Sequence, residues 1–211
     1  MSRPIDELVR ISSEGVVLEG RLQATEGVRL VIVFAHGSGS SRHSPRNNTV
    51  AGALRLFGCG TLLIDLLTPG EDKEYQNRFD IDLLAGRLMD ATRWLGAHGA
   101  TKGMGFGYFG ASTGAAAALK AAAGLGSGIA AIVSRGGRPD LAMSDLPSVS
   151  APTLLIVGER DETVLALNRQ AYDRLTCRKE LAVIPGATHL FEESGALEEV
   201  ARLAASWFTS A

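Results

Sequence analysis

Residues 105–114 read G-F-G-Y-F-G-A-S-T-G, and an alanine-rich helical run over 115–123 follows at once. An apolar, glycine-punctuated strand therefore enters a helix through Gly110-Ala111-Ser112-Thr113-Gly114. A G-x-S-x-G in this position turns the chain so tightly that the serine is held in a strained backbone conformation. The glycines two before and two after it keep the close-packed strand and helix from clashing. The serine Oγ then stands at a helix N-terminus, where free N–H groups and the helix dipole favour negative charge. Ser112 reads as a nucleophile. Five letters do not establish this alone, because with 25 glycines in 211 residues about 0.2 chance matches are expected. A base, an acid and oxyanion donors must flank it in a workable order.

On the N-terminal side, 8–11 and 16–22 are β-prone runs separated by Ser12-Ser13-Glu14-Gly15, the pattern of a hairpin. Residues 30–35 (L-V-I-V-F-A) are continuously apolar, as a strand buried on both faces must be. A polar loop, His36 to Arg46, follows, then a predicted helix over 48–57 and a second buried strand over 61–66. Residues 79–95 carry helical periodicity, with Gly99 predicted as the C-cap. On the C-terminal side strands are predicted at 129–134, 152–157 and 181–184, with helices at 164–175 and 197–208. Strands alternating with helices imply a mostly parallel sheet of about eight strands, covered by helices on both faces. Ligand sites in such sheets lie beyond the carboxyl ends of the strands. Ser112, Asp161 and His189 each follow a different predicted strand at that end.

Composition narrows the function classes. A 211-residue chain, 45% hydrophobic and 21% charged, reads as one soluble globular domain spanning 1–211. The net charge of −2 gives no basis for nucleic-acid or anionic-membrane binding. Cys59 and Cys177 form no C-x-x-C, so no metal site or disulfide framework is expected. The first residues lack the apolar core of a secretory signal, and no run reaches the roughly 20 residues of a membrane span. The expected location is cytoplasmic. A homo-oligomer is compatible with the sequence and is not specified by it.

A serine hydroxyl needs a positioned base, itself oriented by a carboxylate. Of the four histidines, only His189 follows the last predicted strand with Gly186 nearby for a free turn; His36, His43 and His98 lie elsewhere. For the acid, Asp161 in Gly158-Glu159-Arg160-Asp161-Glu162 follows a strand and precedes a helix, with Glu159 and Glu162 as alternatives in the same loop. The order Ser…Asp…His favours Asp161. Two backbone N–H groups should bind the oxyanion. Thr113 supplies one, and Ser38, with Gly39 as second choice, supplies the other from His36-Gly37-Ser38-Gly39. Gly105-Phe106-Gly107-Tyr108-Phe109-Gly110 also fits G-x-G-x-x-G, but its glycines lie inside a strand and no acidic residue follows about 20 positions on. Nucleotide binding is not the reading.

Taken together, H-G-S-G, G-A-S-T-G, G-E-R-D and P-G-A-T-H-L-F occur in the order found in α/β-hydrolases. From Leu30 onward the chain resembles that superfamily, closest to its small, lid-poor dienelactone hydrolase-like branch. The resemblance implies a Ser112–His189–Asp161 triad and hydrolysis of a carboxylic ester or related acyl bond in a small-molecule substrate. It implies no metal or organic cofactor, and the short connection Arg135 to Ala151 between two predicted strands is too small for a separate cap domain. Dienelactone hydrolases proper use a cysteine nucleophile where this chain has Ser112, which argues against a dienelactone substrate. Thioester hydrolysis, acyl transfer with the same residues, or a ligand-binding protein that keeps the fold are the other readings. Arg42 and Arg46 in the first strand-end loop, with Arg135 and Arg138 after another strand, lie at the same end of the sheet. They read first as loop scaffold, paired with carboxylates such as Asp140 and Glu71. In the second reading Arg42, Arg135 and Arg138 bind a substrate carboxylate.

Overall fold

The computed structural model describes residues 4–210. Eight strands form one sheet in the order β1-β2-β4-β3-β5-β6-β7-β8. β1 (Ile5–Ser13) and β2 (Val16–Ala24) make the antiparallel hairpin, closed at Glu14-Gly15, and β2 pairs antiparallel with β4 (Gly60–Ile64). From β4 the sheet is parallel through β3 (Leu30–Ala35), β5 (Gly105–Ala111), β6 (Ile132–Arg135), β7 (Thr153–Gly158) and β8 (Lys179–Ile184).

Helices cover both faces. α2 (Ile81–Ala97) and α3 (Thr113–Leu125) pack together on one face, and α1 (Pro45–Leu56) and α5 (Ala196–Thr209) pack together on the other. The continuous apolar strands serve two cores through their two-residue alternation. In β3, Val31, Val33 and Ala35 join the α2/α3 core, whereas Ile32 and Phe34 join the α1/α5 core. Tyr108 and Phe109 of β5 split the same way. α4 (Glu162–Arg174) packs beside β7 and β8.

The register differs from the sequence reading mainly at element ends. The hairpin strands are longer than predicted, because the pairing runs unbroken from Ile5↔Ala24 to Ser13↔Val16. α1 begins three residues earlier, since Ser44 accepts a bond from the Asn47 N–H and Pro45 occupies the first turn, where a missing N–H costs nothing. α2 ends at a C-cap provided by His98 in an extended conformation, not by Gly99. Two 3₁₀ turns, Glu71–Lys73 and Tyr75–Phe79, fill the β4–α2 connection where only a loop was predicted. No described helix is long and apolar enough to cross a membrane.

Candidate active site

The β5–α3 turn is where sequence dictates geometry most tightly. Ser112 has φ 51° and ψ −122°, a left-handed backbone rarely tolerated by a side-chain-bearing residue. Its neighbours allow it. A Cβ on Gly110 would lie 2.4 Å from the Ala115 Cα, and one on Gly114 would lie 2.2 Å from the Ala35 carbonyl oxygen. The strand and helix therefore approach closer than any larger residue permits. The Ser112 N–H donates to the Arg135 carbonyl at 3.3 Å and its own carbonyl accepts from the Arg138 N–H at 3.1 Å, tying the turn to the end of β6. Ser112 remains partly exposed.

His189 stands on the loop after β8, with its Nδ1 2.6 Å from the Asp161 Oδ2. Asp161 is the residue before α4, its side chain 14% exposed against 39% for His189. The contact fixes the imidazole so that Nε2 is left for other work. The loop carrying it is held at several points. Glu159 accepts from the Gly186 N–H at 2.7 Å, Glu193 accepts from the Thr188 N–H at 3.1 Å, and Arg160 N–H donates to the Ala187 carbonyl at 2.9 Å. Glu159 is thereby occupied as a loop clamp and Glu162 is an exposed residue of the first α4 turn, leaving Asp161 as the carboxylate on the imidazole. Gly136, at φ +53°, lies against the ring: a Cβ there would sit 3.4 Å from His189 Cε1 and Nδ1.

The β3–α1 loop completes the arrangement. His36 is buried; its Nδ1 donates to the Gly37 carbonyl at 2.9 Å, and its Nε2 accepts from the Leu66 N–H at 3.1 Å. Burial pushes the imidazole pKa below its usual value, so the ring is a neutral tie between this loop and the end of β4. At Gly37 a Cβ would lie 3.1 Å from the Ser112 Cβ and 3.3 Å from the Ala111 carbonyl oxygen, so the loop passes tightly against the serine and a side chain there would make its neighbours shift by a few tenths of an ångström. Neither the Ser38 N–H nor the Thr113 N–H has an acceptor among the described residues.

Ser112, His189, Ser38 and Arg135 line one open cleft of about 250 Å³, together with Ser40, Ser44, Arg46, Asn47 and Leu190. Of the predicted anion-binding arginines, only Arg135 faces it. Arg42 is bound to Asp65 and to Glu19 (2.8 Å), and Arg138 to Asp140 at 2.7 Å, so both are scaffold. Glu71 pairs with the buried Arg87 instead of any strand-end arginine. Asn47, which lines the cleft from α1, has no local sequence signal. It is marked only by being a buried polar side chain in a helix. No grouping of three or more metal-ligating side chains occurs among the described residues.

A mostly parallel eight-stranded sheet with a strained serine between β5 and α3 is the architecture of the α/β-hydrolases. The chain belongs to the dienelactone hydrolase family: it is 52% identical to a dienelactone hydrolase from Anabaena variabilis, covering 99% of this chain and 98% of that one, with a TM-score of 0.95. Est1E from Butyrivibrio proteoclasticus shares the fold at 15% identity and a TM-score of 0.79, with 96% and 98% of the two chains covered. Two Mycobacterium tuberculosis proteins, provisionally named phosphoribosyl transferases, are 56% identical over 203 residues, or 96% of this chain. The chain spans 46% of their length. No protein-family model matches the chain.

Proposed function

We propose that this hydrolase cleaves carboxylic esters of small, accessible substrates through an acyl-enzyme on Ser112. The observation that carries the reading is the Asp161–His189 contact of 2.6 Å, on an imidazole lining the same cleft as the strained Ser112. In this reaction the His189 Nε2 takes the Ser112 hydroxyl proton as Oγ attacks the ester carbonyl. The carbonyl oxygen becomes an oxyanion, which accepts hydrogen bonds from the free Ser38 and Thr113 N–H groups at the α3 N-terminus. Asp161 stabilises the imidazolium, which then protonates the departing alcohol. Water, activated by the same imidazole, releases the acid and restores Ser112. Every proton is returned, and no further co-reactant is required.

The name of the mycobacterial proteins belongs to chains of which this one matches 46%. The matched part includes the strand-end loops bearing Ser112, Asp161 and His189, which suit acyl chemistry. The test is a panel of short-chain esters with a fluorophosphonate probe. Wild-type protein should turn over at least one ester and be labelled on Ser112, with mass spectrometry locating the adduct. Ser112→Ala and His189→Ala should each lower kcat by about 10³-fold or more. Near-normal kcat in Ser112→Ala would overturn the assignment.

A further inference from the structure

One charge in the cleft is unexplained by ester hydrolysis. Arg135 is 6% exposed, yet no carboxylate touches its guanidinium among the described residues. Among the described residues the guanidinium makes one hydrogen bond, Nη2 to the Asn47 Oδ1 at 3.3 Å, its Nε is buried with no partner there, and the Phe191 ring lies 5.7 Å from Cζ. Buried guanidinium groups normally find a carboxylate, because desolvating an unpaired charge is costly. Here burial, assisted by the nearby positive Arg46, pushes the pKa down to about 10, so the side chain remains a cation at neutral pH.

The surroundings add positive potential instead of cancelling it. α1 has no acidic residue in its first turn, and Arg46 sits there, at the end where the helix dipole disfavours a cation. The Glu192 partner of Arg46 is 64% exposed, an ion pair of the kind worth little and easily exchanged. Asn47 uses its carbonyl oxygen on Arg135, which leaves its amide N–H groups to donate; the Ser40 and Ser44 side chains also line this wall. None of the cleft-lining residues is acidic.

The geometry points to a subsite for a phosphate group of the substrate, formed by Arg135, Arg46 and Asn47 beside Ser112. A carboxylate is flat and carries one charge. A phosphate monoester offers three terminal oxygens in a tripod with up to two charges. Donors approaching from the end of β6 and from the first turn of α1, with two guanidinium groups, match the second shape and charge. The ester cleaved at Ser112 then carries a phosphate elsewhere in the molecule, and the phosphate itself is not transferred. The subsite deepens the ester-hydrolase reading but is tested separately from it.

Binding is measured first, with inorganic phosphate and with acetate, by calorimetry on wild type, Ser112→Ala, Arg46→Gln, Asn47→Ala and Arg135→Lys. Wild type and Ser112→Ala should bind phosphate at least 10-fold more tightly than acetate. Arg46→Gln and Asn47→Ala should weaken phosphate at least fivefold, and Arg135→Lys, which keeps the charge but loses the fork, should weaken it as well. Kinetics then compares three esters identical except for a phosphate, a carboxylate or a hydroxyl on the same arm. The phosphate ester should have a kcat/KM at least 10-fold above the hydroxyl ester, and Arg46→Gln should shrink that ratio. Preference for the carboxylate ester, or equal use of all three, overturns the proposal. So does phosphate binding that none of the three subsite substitutions weakens. If phosphate binding follows the three residues while no ester is cleaved, the subsite stands and the ester-hydrolase reading fails.

Discussion

A methyl group at position 110 would lie 2.4 Å from the Ala115 Cα and 2.8 Å from the Gly114 carbonyl oxygen, all backbone atoms that cannot yield without moving α3. Gly110→Ala should therefore lower unfolding free energy by about 3 kcal/mol or more, as severe overpacking does. The contrast is Gly86, inside α2, where a Cβ meets nothing within 4 Å. Gly86→Ala should gain about 0.5–1 kcal/mol from helix propensity. Urea unfolding of the two variants measures both signs, and similar stabilities would refute the close-approach account of the G-x-S-x-G glycines. At Asp161, replacement by Asn should leave the fold intact while cutting kcat by about 10³- to 10⁴-fold, because the imidazole loses its orientation and its counter-charge. Steady-state kinetics beside a thermal melt separates those two effects. These residues were legible in the sequence because each is announced by its immediate neighbours: glycines around Ser112, a strand before Asp161, a free turn before His189. The arginines were not. Arg42 is neutralised by Asp65, 23 positions away, and Arg46 meets Glu192, 146 positions away, so local sequence does not say which guanidinium is left unpaired.

Among the elements, the β3–α1 loop is tied to the end of β4 at two places, by Arg42 on Asp65 and by the His36 imidazole. His36 holds Gly37 with one nitrogen and Leu66 with the other, which ties the loop bearing Ser38 to the strand end of β4. Protonation of Nε2 would convert its accepted bond into a clash of two donors. Since burial lowers the folded-state pKa, the unfolded chain binds the proton first as pH falls, and in that window it binds more protons than the native state. The stabilisation is complete above the unfolded value of about 6.5 and is lost as pH drops from there through the folded-state value. Tm should thus fall between pH 7.5 and 5 more steeply in wild type than in His36→Asn, which cannot take up the proton. Parallel pH profiles in the two proteins would remove this role. Burial on two faces leaves the continuous apolar runs that made β3, β4, β6 and β7 readable, while the hairpin was marked by β-prone runs on either side of a turn and the amphipathic helices by their periodicity. Their ends were less readable. The Ser44-Pro45 start of α1 carried a capping signal that the polar loop before it masked, and α2 stops at His98 because the chain turns extended there, without a left-handed glycine.

Over the whole molecule, access to Ser112 is set by what connects the strands at their carboxyl ends. Residues 136–152, joining β6 to β7, are too short for a cap and form two 3₁₀ turns, Pro139–Ala142 and Leu146–Ser148. Pro139, Ala142, Leu146 and Val149 are buried, and the first turn packs on both α3 and α4. A segment anchored by that much apolar burial is part of the core and not a lid. The β4–α2 connection on the other side is fixed by different means: Arg87, 3% exposed, binds Glu71 at 2.8 Å, while Arg78 binds Asp72 at 2.8 Å and the Asp72 carbonyl. With both neighbouring connections pinned, neither has to open before a substrate reaches the serine. Hydrolysis of a long-chain ester should therefore follow a smooth saturation curve through the critical micelle concentration, with no step. Rates read on a concentration series spanning that point decide the matter. An abrupt rise of about 10-fold or more on micelle formation would mean that a covering segment is displaced at the lipid interface, and that one of these two connections is held less firmly than its burial and ion pairs imply.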